Sequence, residues 1–180
     1  MTFEENTLDS NRIYDGKIIN LRKDKVTVKT GTSYREIVEH NGGAVLIGIT
    51  DEKKMLMVKQ YRYAAKKVMF EVPAGKIDKG EDPLVTASRE LKEETGFTAG
   101  KVEYLMHFYP TVGYSEEILY LYLCTDLQPG ETDFDLNEAI DTEEWDIQDL
   151  YKMVMEGEID DGKTALAILQ AKALMDEGRI

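Results

Sequence analysis

The sequence has few of the residues and segments on which covalent cross-links and membrane anchoring depend. Its 180 residues include one cysteine, Cys124, which cannot form an internal disulfide and suits a reducing compartment. No apolar run approaches the roughly 20 residues that a membrane-spanning helix needs. The first residues are acidic and lack the apolar core of a signal peptide. We therefore expect a cytoplasmic protein that does not enter a membrane.

Basic residues are also scarce. There are 22 lysines and arginines against 35 aspartates and glutamates, which gives a formal net charge of −13. Surfaces that bind nucleic acids or anionic membranes need clustered positive charge, so this balance argues against both classes of partner. A small phosphorylated substrate is not excluded, because its site needs only local positive charge from a metal ion and a few arginines.

One mid-chain segment has the start and stop signals of a helix. Asp82 can cap the helix, and Pro83 suits a first turn, where its missing N–H has no partner to lose. Gly96 is a good left-handed stop. Apolar residues at spacings of three and four predict a buried stripe, formed by Leu84, Ala87 and Leu91.

The same predicted helix carries clustered acids. Glu90, Glu93 and Glu94 fall within about a third of the helix circumference and repel one another. Arg89, one turn before Glu93, relieves part of this repulsion. Clustered oxygen ligands favour a hard cation, Mg²⁺ or Mn²⁺. The alternative from the helix alone is a solvated acidic face in an acidic protein.

The wider pattern resembles a known family. Gly75, five residues, Glu81, seven residues and then Arg-Glu-Leu-x-Glu-Glu-x-Gly-Phe matches the Nudix box at every defined position. The resemblance to Nudix hydrolases implies an α/β fold, the α/β/α sandwich with a mixed sheet. A small antiparallel β region at 1–41, expected to serve dimerisation and substrate contacts, would precede a Nudix domain at 42–180.

Segments outside the box resemble one subfamily, the ADP-ribose pyrophosphatases. They are Gln60-Tyr-Arg62, Glu71-Val-Pro-Ala-Gly, Pro110, Gly113-Tyr-Ser-Glu116 and Ile159-Asp-Asp-Gly-Lys-Thr. The resemblance implies hydrolysis of ADP-ribose to AMP and ribose 5-phosphate, with Mg²⁺ as cofactor and Mn²⁺ as the alternative. It leaves open another nucleoside diphosphate sugar such as GDP-mannose, a dinucleoside polyphosphate, or a module that binds ADP-ribose without cleaving it.

The resemblance also implies which residues hold the metal and catalyse. The metal ligands would be the carbonyl of Ala74 and the carboxylates of Glu90 and Glu94, with Glu93 as a bridging or supporting acid. Arg89 would orient these carboxylates. The two histidines are expected to be structural.

The base would come from a later loop, where Glu138 is the candidate as base or added metal ligand. Here the sequence departs from the subfamily, whose acids stand two residues apart, because Leu136 occupies the earlier position. Glu138 alone, Asp135 or a glutamate of the box could then take the role, and a merely solvated acidic loop is the alternative.

Substrate contacts are implied for three places. Arg62 would contact the diphosphate, and Gly113, Ser115 and Glu116 would face the terminal ribose. A third group would surround the adenine, reaching the site of a partner subunit in an intertwined homodimer: Tyr14, Arg35 and Glu36. Arg62, Arg35 and Glu116 could instead be ordinary surface charges, and Tyr14 a core residue.

The patterns of the remaining chain predict strands in its first half and helices at its end. The first ten residues look loosely packed, and Lys23-Asp24 reads as a turn between two short strands. Helices are predicted at 147–156 and 163–177.

Overall fold

The computed structural model describes residues 3–133 and 140–180. The chain divides into two compact units. The first contains the residues up to Gly42 together with Tyr109–Ile118, and the second contains Gly43–Phe108 and Leu119–Ile180. The first unit thus combines the N-terminal residues with a later segment that the sequence did not indicate.

The first unit is built on a three-stranded antiparallel sheet in the order β1-β2-β3: β1 Thr7–Asp15, β2 Asn20–Val28 and β3 Gly31–Glu39. Two predictions here were wrong. The chain is already in a strand at Thr7, and Lys23-Asp24 lies inside β2, paired on both sides. The turn was predicted because a charged pair usually lies in solvent. Asp24 is instead buried within β2, where hydrogen bonds from Ser10 and Arg22 to its carboxylate compensate for the loss of water.

The second unit contains seven strands and three helices among its described residues: β4 Gly43–Gly48, β5 Lys54–Arg62, β6 Lys67–Glu71, β7 Ala74–Lys76, α1 Pro83–Thr95, β8 Thr98–Phe108, β9 Leu119–Gln128, β10 Ile140–Asp146, α2 Ile147–Glu156 and α3 Gly162–Asp176. One sheet has the order β7-β4-β9-β8 and the other β10-β5-β6. The first is mixed, because β4 pairs parallel with β9 and antiparallel with β7.

Strand β4 lies at the centre of the second unit. Its continuous apolar run is buried on both faces, as expected for a strand covered on two sides. Val45 and Ile47 pack with residues of α2 and α3 in one core cluster, while Ala44 and Leu46 pack with residues of α1 in another. This layering confirms the predicted α/β sandwich.

Helix α1 begins and ends where the sequence predicted. The Asp82 side chain accepts a hydrogen bond from the Leu84 N–H at 2.8 Å, and Pro83 occupies the first turn. Gly96 adopts φ 76° and its N–H donates to the Lys92 carbonyl, which ends the helix. These local signals fix both the length of α1 and the face that it presents.

None of the helices in the described part of the chain has the length and apolar character that crossing a bilayer requires. Cys124 is buried in β9, and its burial raises the pKa of the thiol to about 12. The described structure therefore gives this cysteine a packing role.

Two C-terminal cap glycines provide a matched stability test. Both have positive φ, 76° at Gly96 and 77° at Gly157, but a Cβ at Gly96 would lie 2.8 Å from the Gly130 carbonyl oxygen. At Gly157 a Cβ would meet no other described atom within 4 Å. We expect Gly157→Ala to lower the free energy of unfolding by about 1 kcal/mol, the cost of the left-handed backbone, and Gly96→Ala to lower it by at least about 1 kcal/mol more. Urea unfolding measures both, and equal losses would contradict the contact.

Candidate functional site

Two carboxylates of α1 reach the backbone where the chain enters the loop before the helix. A Cβ built on Gly75 would lie 1.6 Å from the carboxyl carbon of Glu90, so the Glu90 carboxylate occupies the space that glycine leaves. Glu94 is buried, and its Oε2 accepts a hydrogen bond from the Ala74 N–H at 3.0 Å. The predicted metal ligands Ala74, Glu90 and Glu94 therefore meet around Ala74–Gly75. Glu93, the predicted supporting acid, is linked to Glu90 through Arg89.

Arg89 holds the acids of this region together. Its Nη1 donates to Glu90 at 2.8 Å and to Glu93 at 2.9 Å, and its Nη2 donates to Glu81 at 3.1 Å. Hydrogen bonds from Arg89 and then Thr86 lower the pKa of Glu81 to about 2, so this carboxylate is ionised at neutral pH. Arg89 therefore contacts one acid in the loop before the helix and two on the later turns of the helix.

The donor set fits a hard cation. It consists of carboxylate oxygens and the Ala74 carbonyl, which are ligands that Mg²⁺ and Mn²⁺ accept. No cluster of three or more His, Cys, Asp or Glu side chains arranged for a metal ion occurs within residues 3–133 and 140–180. Mg²⁺ usually keeps several waters and binds through one or two carboxylates together with substrate phosphates. The two glutamates Glu90 and Glu94 are consistent with this mode of coordination.

The predicted diphosphate contact, Arg62, lies at the end of β5 and is held by a buried acid. Its Nε and Nη2 donate to the two oxygens of Glu71 at 2.7 and 2.8 Å, and Lys163 also donates to Glu71. Burial raises the pKa of Glu71, but the hydrogen bond from Arg62 and the charge of Lys163 outweigh it and lower the pKa below its ordinary value. Glu71 is therefore a buried anion between two cations.

The N-terminus of α3 is attached to the same strand. Asp161 caps the helix by accepting from the Thr164 N–H, and the Thr164 hydroxyl also donates to Asp161. The Thr164 Oγ1 in turn accepts a hydrogen bond from the Val72 N–H at 3.0 Å in the interior. Because Val72 follows Glu71 directly, α3 fixes the backbone that leads into Ala74.

The predicted ribose contacts lie in the first unit, beside a cavity. A cavity of about 410 Å³ is lined by Tyr109, Val112, Ser115, Glu116 and Ile118. The segment is fixed to β3, because the Glu116 N–H donates to the Val38 carbonyl at 2.9 Å. The predicted Gly113 is exposed and does not line this cavity.

Glu116 is not simply a solvated charge. Its carboxylate accepts a hydrogen bond from Arg22 at 2.5 Å, and Arg22 also donates to Asp24 and Glu39. These hydrogen bonds, that of Glu116 above all, raise the pKa of Arg22. Arg22 thus links the cavity to the sheet of the first unit.

The predicted adenine contacts also belong to the first unit. Tyr14 is exposed on β1, where its ring fills the space beside Gly16. Arg35 on β3 donates to the Glu5 carboxylate at 2.8 Å, and Glu36 is exposed next to it. The structure therefore divides the predicted residues. The predicted substrate contacts other than Arg62 are in the first unit, and the described metal contacts are in the second.

The candidate base Glu138, with Asp135 and Leu136, lies outside the described residues.

Sequence reasoning gave no role to several residues that organise these sites. Glu81 had a detectable signal, because it is a defined position of the motif before Arg89. Glu71 and Lys163 were inside quoted segments, but nothing in the sequence indicated that they pair across 92 positions. Arg22 had no signal, since its partner Glu116 is 94 positions away.

Comparison with known proteins gives consistent results. The model of the NUDIX domain family matches residues 40–165. The methanol dehydrogenase activator of Bacillus methanolicus is 41% identical over 169 residues, covering 92% of this chain and 91% of the relative. The ADP-ribose pyrophosphatase of Bacillus subtilis (strain 168) is 40% identical over 170 residues, covering 93% and 92%. A crystal structure of an ADP compounds hydrolase superposes with a TM-score of 0.85 at 19% identity, covering 100% and 99%, and supports the fold alone.

The contact between Arg89 and Glu81 predicts a pH-dependent contribution to stability. The pKa of Glu81 falls from 4.5 to about 2 on folding, so its contribution is complete above pH 4.5 and is lost as the pH falls toward 2. We expect Glu81→Gln to lower the free energy of unfolding by about 1–2 kcal/mol at pH 7 and by progressively less in acid. Urea unfolding of both proteins between pH 7 and pH 2.5 measures the difference.

The matched control is Glu52→Gln, because the Glu52 side chain is 75% exposed. Its difference from the wild type should stay small at every pH. A Glu81→Gln difference that does not change with pH would contradict the ion pair.

Proposed function

Because this chain belongs to the NUDIX family, we propose that it is a hydrolase that cleaves the pyrophosphate of ADP-ribose to AMP and ribose 5-phosphate. The observation that carries the proposal is the meeting of Glu90 and Glu94 at Ala74–Gly75, with Arg89 holding the acids in place. The choice of substrate is supported by the relative from Bacillus subtilis, which is named an ADP-ribose pyrophosphatase and is 40% identical over 93% of this chain.

The cofactor in this proposal is a divalent cation, Mg²⁺ with Mn²⁺ as the alternative. Glu90, Glu94 and the carbonyl of Ala74 would hold it, Glu93 would support it, and Glu138 would add a ligand if it does not serve as the base. When bound, such an ion polarises a phosphoryl oxygen and lowers the pKa of a bound water. The all-oxygen donor set supports this choice over zinc.

The residues of the chain supply positioning and proton transfer. Arg62 would bind the diphosphate and offset its negative charge, since arginine matches phosphate oxygens in a planar fork. A water oxygen attacks one phosphorus while the bond to the bridging oxygen breaks. Glu138 would accept the proton of that water. Arg89 keeps Glu90 and Glu93 in position throughout, so the acids need no rearrangement during the reaction.

The first unit would recognise the two ends of the substrate. Ser115 and Glu116 line a cavity of about 410 Å³, and a carboxylate held by Arg22 is a suitable acceptor for ribose hydroxyls. Gly113 would contribute its backbone beside them. Tyr14, Arg35 and Glu36 would contact the adenine, by stacking and by polar contacts.

A hydrolysis panel tests the proposal. We expect Mg²⁺-dependent release of AMP and ribose 5-phosphate from ADP-ribose, faster than turnover of other ADP-sugars, GDP-mannose or dinucleoside polyphosphates, with products separated by chromatography. Glu90→Gln and Glu94→Gln should each lower kcat by about a hundredfold or more, because each removes a charge from the reacting centre.

The control for this panel is Lys92→Gln, which changes an exposed residue of the same helix and should leave kcat unchanged. Glu138→Gln should lower kcat strongly with little loss of folding stability. Near-normal turnover in both helix variants would contradict the metal assignment, an unchanged Glu138→Gln would move the base elsewhere, and binding of ADP-ribose without cleavage would favour a recognition module.

We further propose that the protein is a homodimer with intertwined N-terminal regions. Strand β1 is exposed along its whole length and lies at the edge of its sheet. Edge strands with exposed apolar side chains pair readily with another chain. The large apolar residues that are exposed within residues 3–19 are Phe3, Leu8, Ile13, Tyr14, Ile18 and Ile19.

Light scattering after size exclusion tests the dimer. The wild type should have about twice the mass of one chain, and Ile13→Glu should shift it toward the monomer, because Ile13 is 53% exposed on the edge strand. Met155→Glu is the matched control, since Met155 is an apolar residue that is 64% exposed on α2. A monomeric wild type would contradict the proposal.

A further inference from the structure

The ion pair of Arg62 leaves part of its guanidinium available. An arginine has five N–H donors, and Glu71 engages two of them, on Nε and Nη2. No other hydrogen bond of the Arg62 side chain occurs among residues 3–133 and 140–180. The Arg62 side chain is 42% exposed whereas Glu71 is 2% exposed, so a ligand from solvent can reach the arginine but not its partner.

Arg62 also lies within electrostatic range of Glu94. Its pKa is raised first by the hydrogen bond to Glu71 and further by the charges of Glu94 and Asp161. Its guanidinium is therefore close enough to Glu94 to interact electrostatically with the carboxylate at Ala74. A phosphate held beside Glu94 by a cation would be within the field of the same guanidinium.

Lys163 is the less exposed of the two cations that contact Glu71. It contacts Glu71 and donates to Asp161 at 2.8 Å, and its side chain is 15% exposed. Asp161 is itself fixed as the N-cap of α3. The four side chains sum to zero charge, with two cations and two anions, which limits the cost of burying Glu71.

We propose that Glu71 and Lys163 are positioning residues that hold Arg62 in the orientation that binds the diphosphate. Glu71 fixes the plane of the guanidinium by a two-point contact, and Lys163 fixes Glu71 from the other side. The inference rests on the proposed function for its ligand, a diphosphate. It adds that the N-terminus of α3, although far away in the sequence, sets the affinity of the site.

The arrangement also explains the choice of residue types. A single hydrogen bond would leave the guanidinium free to rotate, whereas a carboxylate engaging two N–H groups defines its plane. Without Lys163, the Glu71 carboxylate would have Arg62 as its main cation and would compete with the diphosphate for it. Lys163 supplies Glu71 with a second partner, so Arg62 can turn its remaining donors outward.

The test is a kinetic comparison of Lys163→Met and Glu71→Gln with the wild type. We expect each to raise KM for ADP-ribose about tenfold while kcat changes less than about threefold, because a charge-assisted contact to the bound substrate is misaligned. Lys163→Arg should restore KM to within about threefold, since it keeps the charge and a donor toward Glu71. Circular dichroism and urea unfolding report the folded fraction.

The matched control is Lys172→Met. Lys172 is on the same helix, its side chain is 16% exposed, and it pairs with Asp176 instead of Glu71. It should leave KM unchanged. An equal increase in KM for Lys172→Met would overturn the proposal, because the effect would then come from helix packing.

A double-mutant cycle separates orientation from packing. In an Arg62→Ala background, Lys163→Met should have no further effect on kcat/KM, because the side chain that Lys163 positions is gone. Additive losses, or an unchanged KM in the single variants, would overturn the proposal. If Lys163→Met does not fold, Lys163→Gln is measured against the same outcomes.

Calorimetric binding of α,β-methylene ADP-ribose, which cannot be cleaved at the bridging position, gives a second readout. We expect the positioning variants to weaken this binding about tenfold. A wild type that neither cleaves ADP-ribose nor binds the analogue would refute the proposed substrate. The same cycle, run with whichever diphosphate of the panel is cleaved, would then decide the role of Lys163 by the criteria above.

Discussion

The contact between one guanidinium and three carboxylates is the constraint on which the site depends. Arg89 donates to Glu81, Glu90 and Glu93, and so draws together acids that would otherwise repel one another. Arg89 offsets part of their charge and holds these acids beside one another, and the carboxylate of Glu90 lies against the backbone at Gly75. Arg89 thereby joins the loop before α1 to the later turns of the helix.

Local signals in the sequence were sufficient for this segment. The helix boundaries could be predicted because Asp82, Pro83 and Gly96 act on their own neighbours. The fold class could be predicted from the run in β4 together with the family pattern. The prediction of a turn at Lys23-Asp24 was wrong. Adjacent charged residues are typical of turns, and the sequence does not show that Ser10 of a neighbouring strand donates a hydrogen bond to Asp24.

The parts that sequence reasoning could not supply are pairings over long separations. Lys163 and Glu71 are 92 positions apart, as are Val72 and Thr164, and no spacing rule connects them. Arg22 looks like any strand arginine until the segment of Glu116 is brought against β3. Such contacts follow from topology, so the supporting residues of a site are harder to predict than its motif.

The single thiol has a practical consequence for studying this protein. Cys124 is buried, its burial raises the pKa of the thiol to about 12, and the thiolate is the form that reacts with thiol reagents. A cysteine introduced at an exposed position would therefore be the principal target of a maleimide label at neutral pH. Spin labels or fluorophores could be placed on either compact unit without first removing the native residue, and distances between the units could be measured in solution.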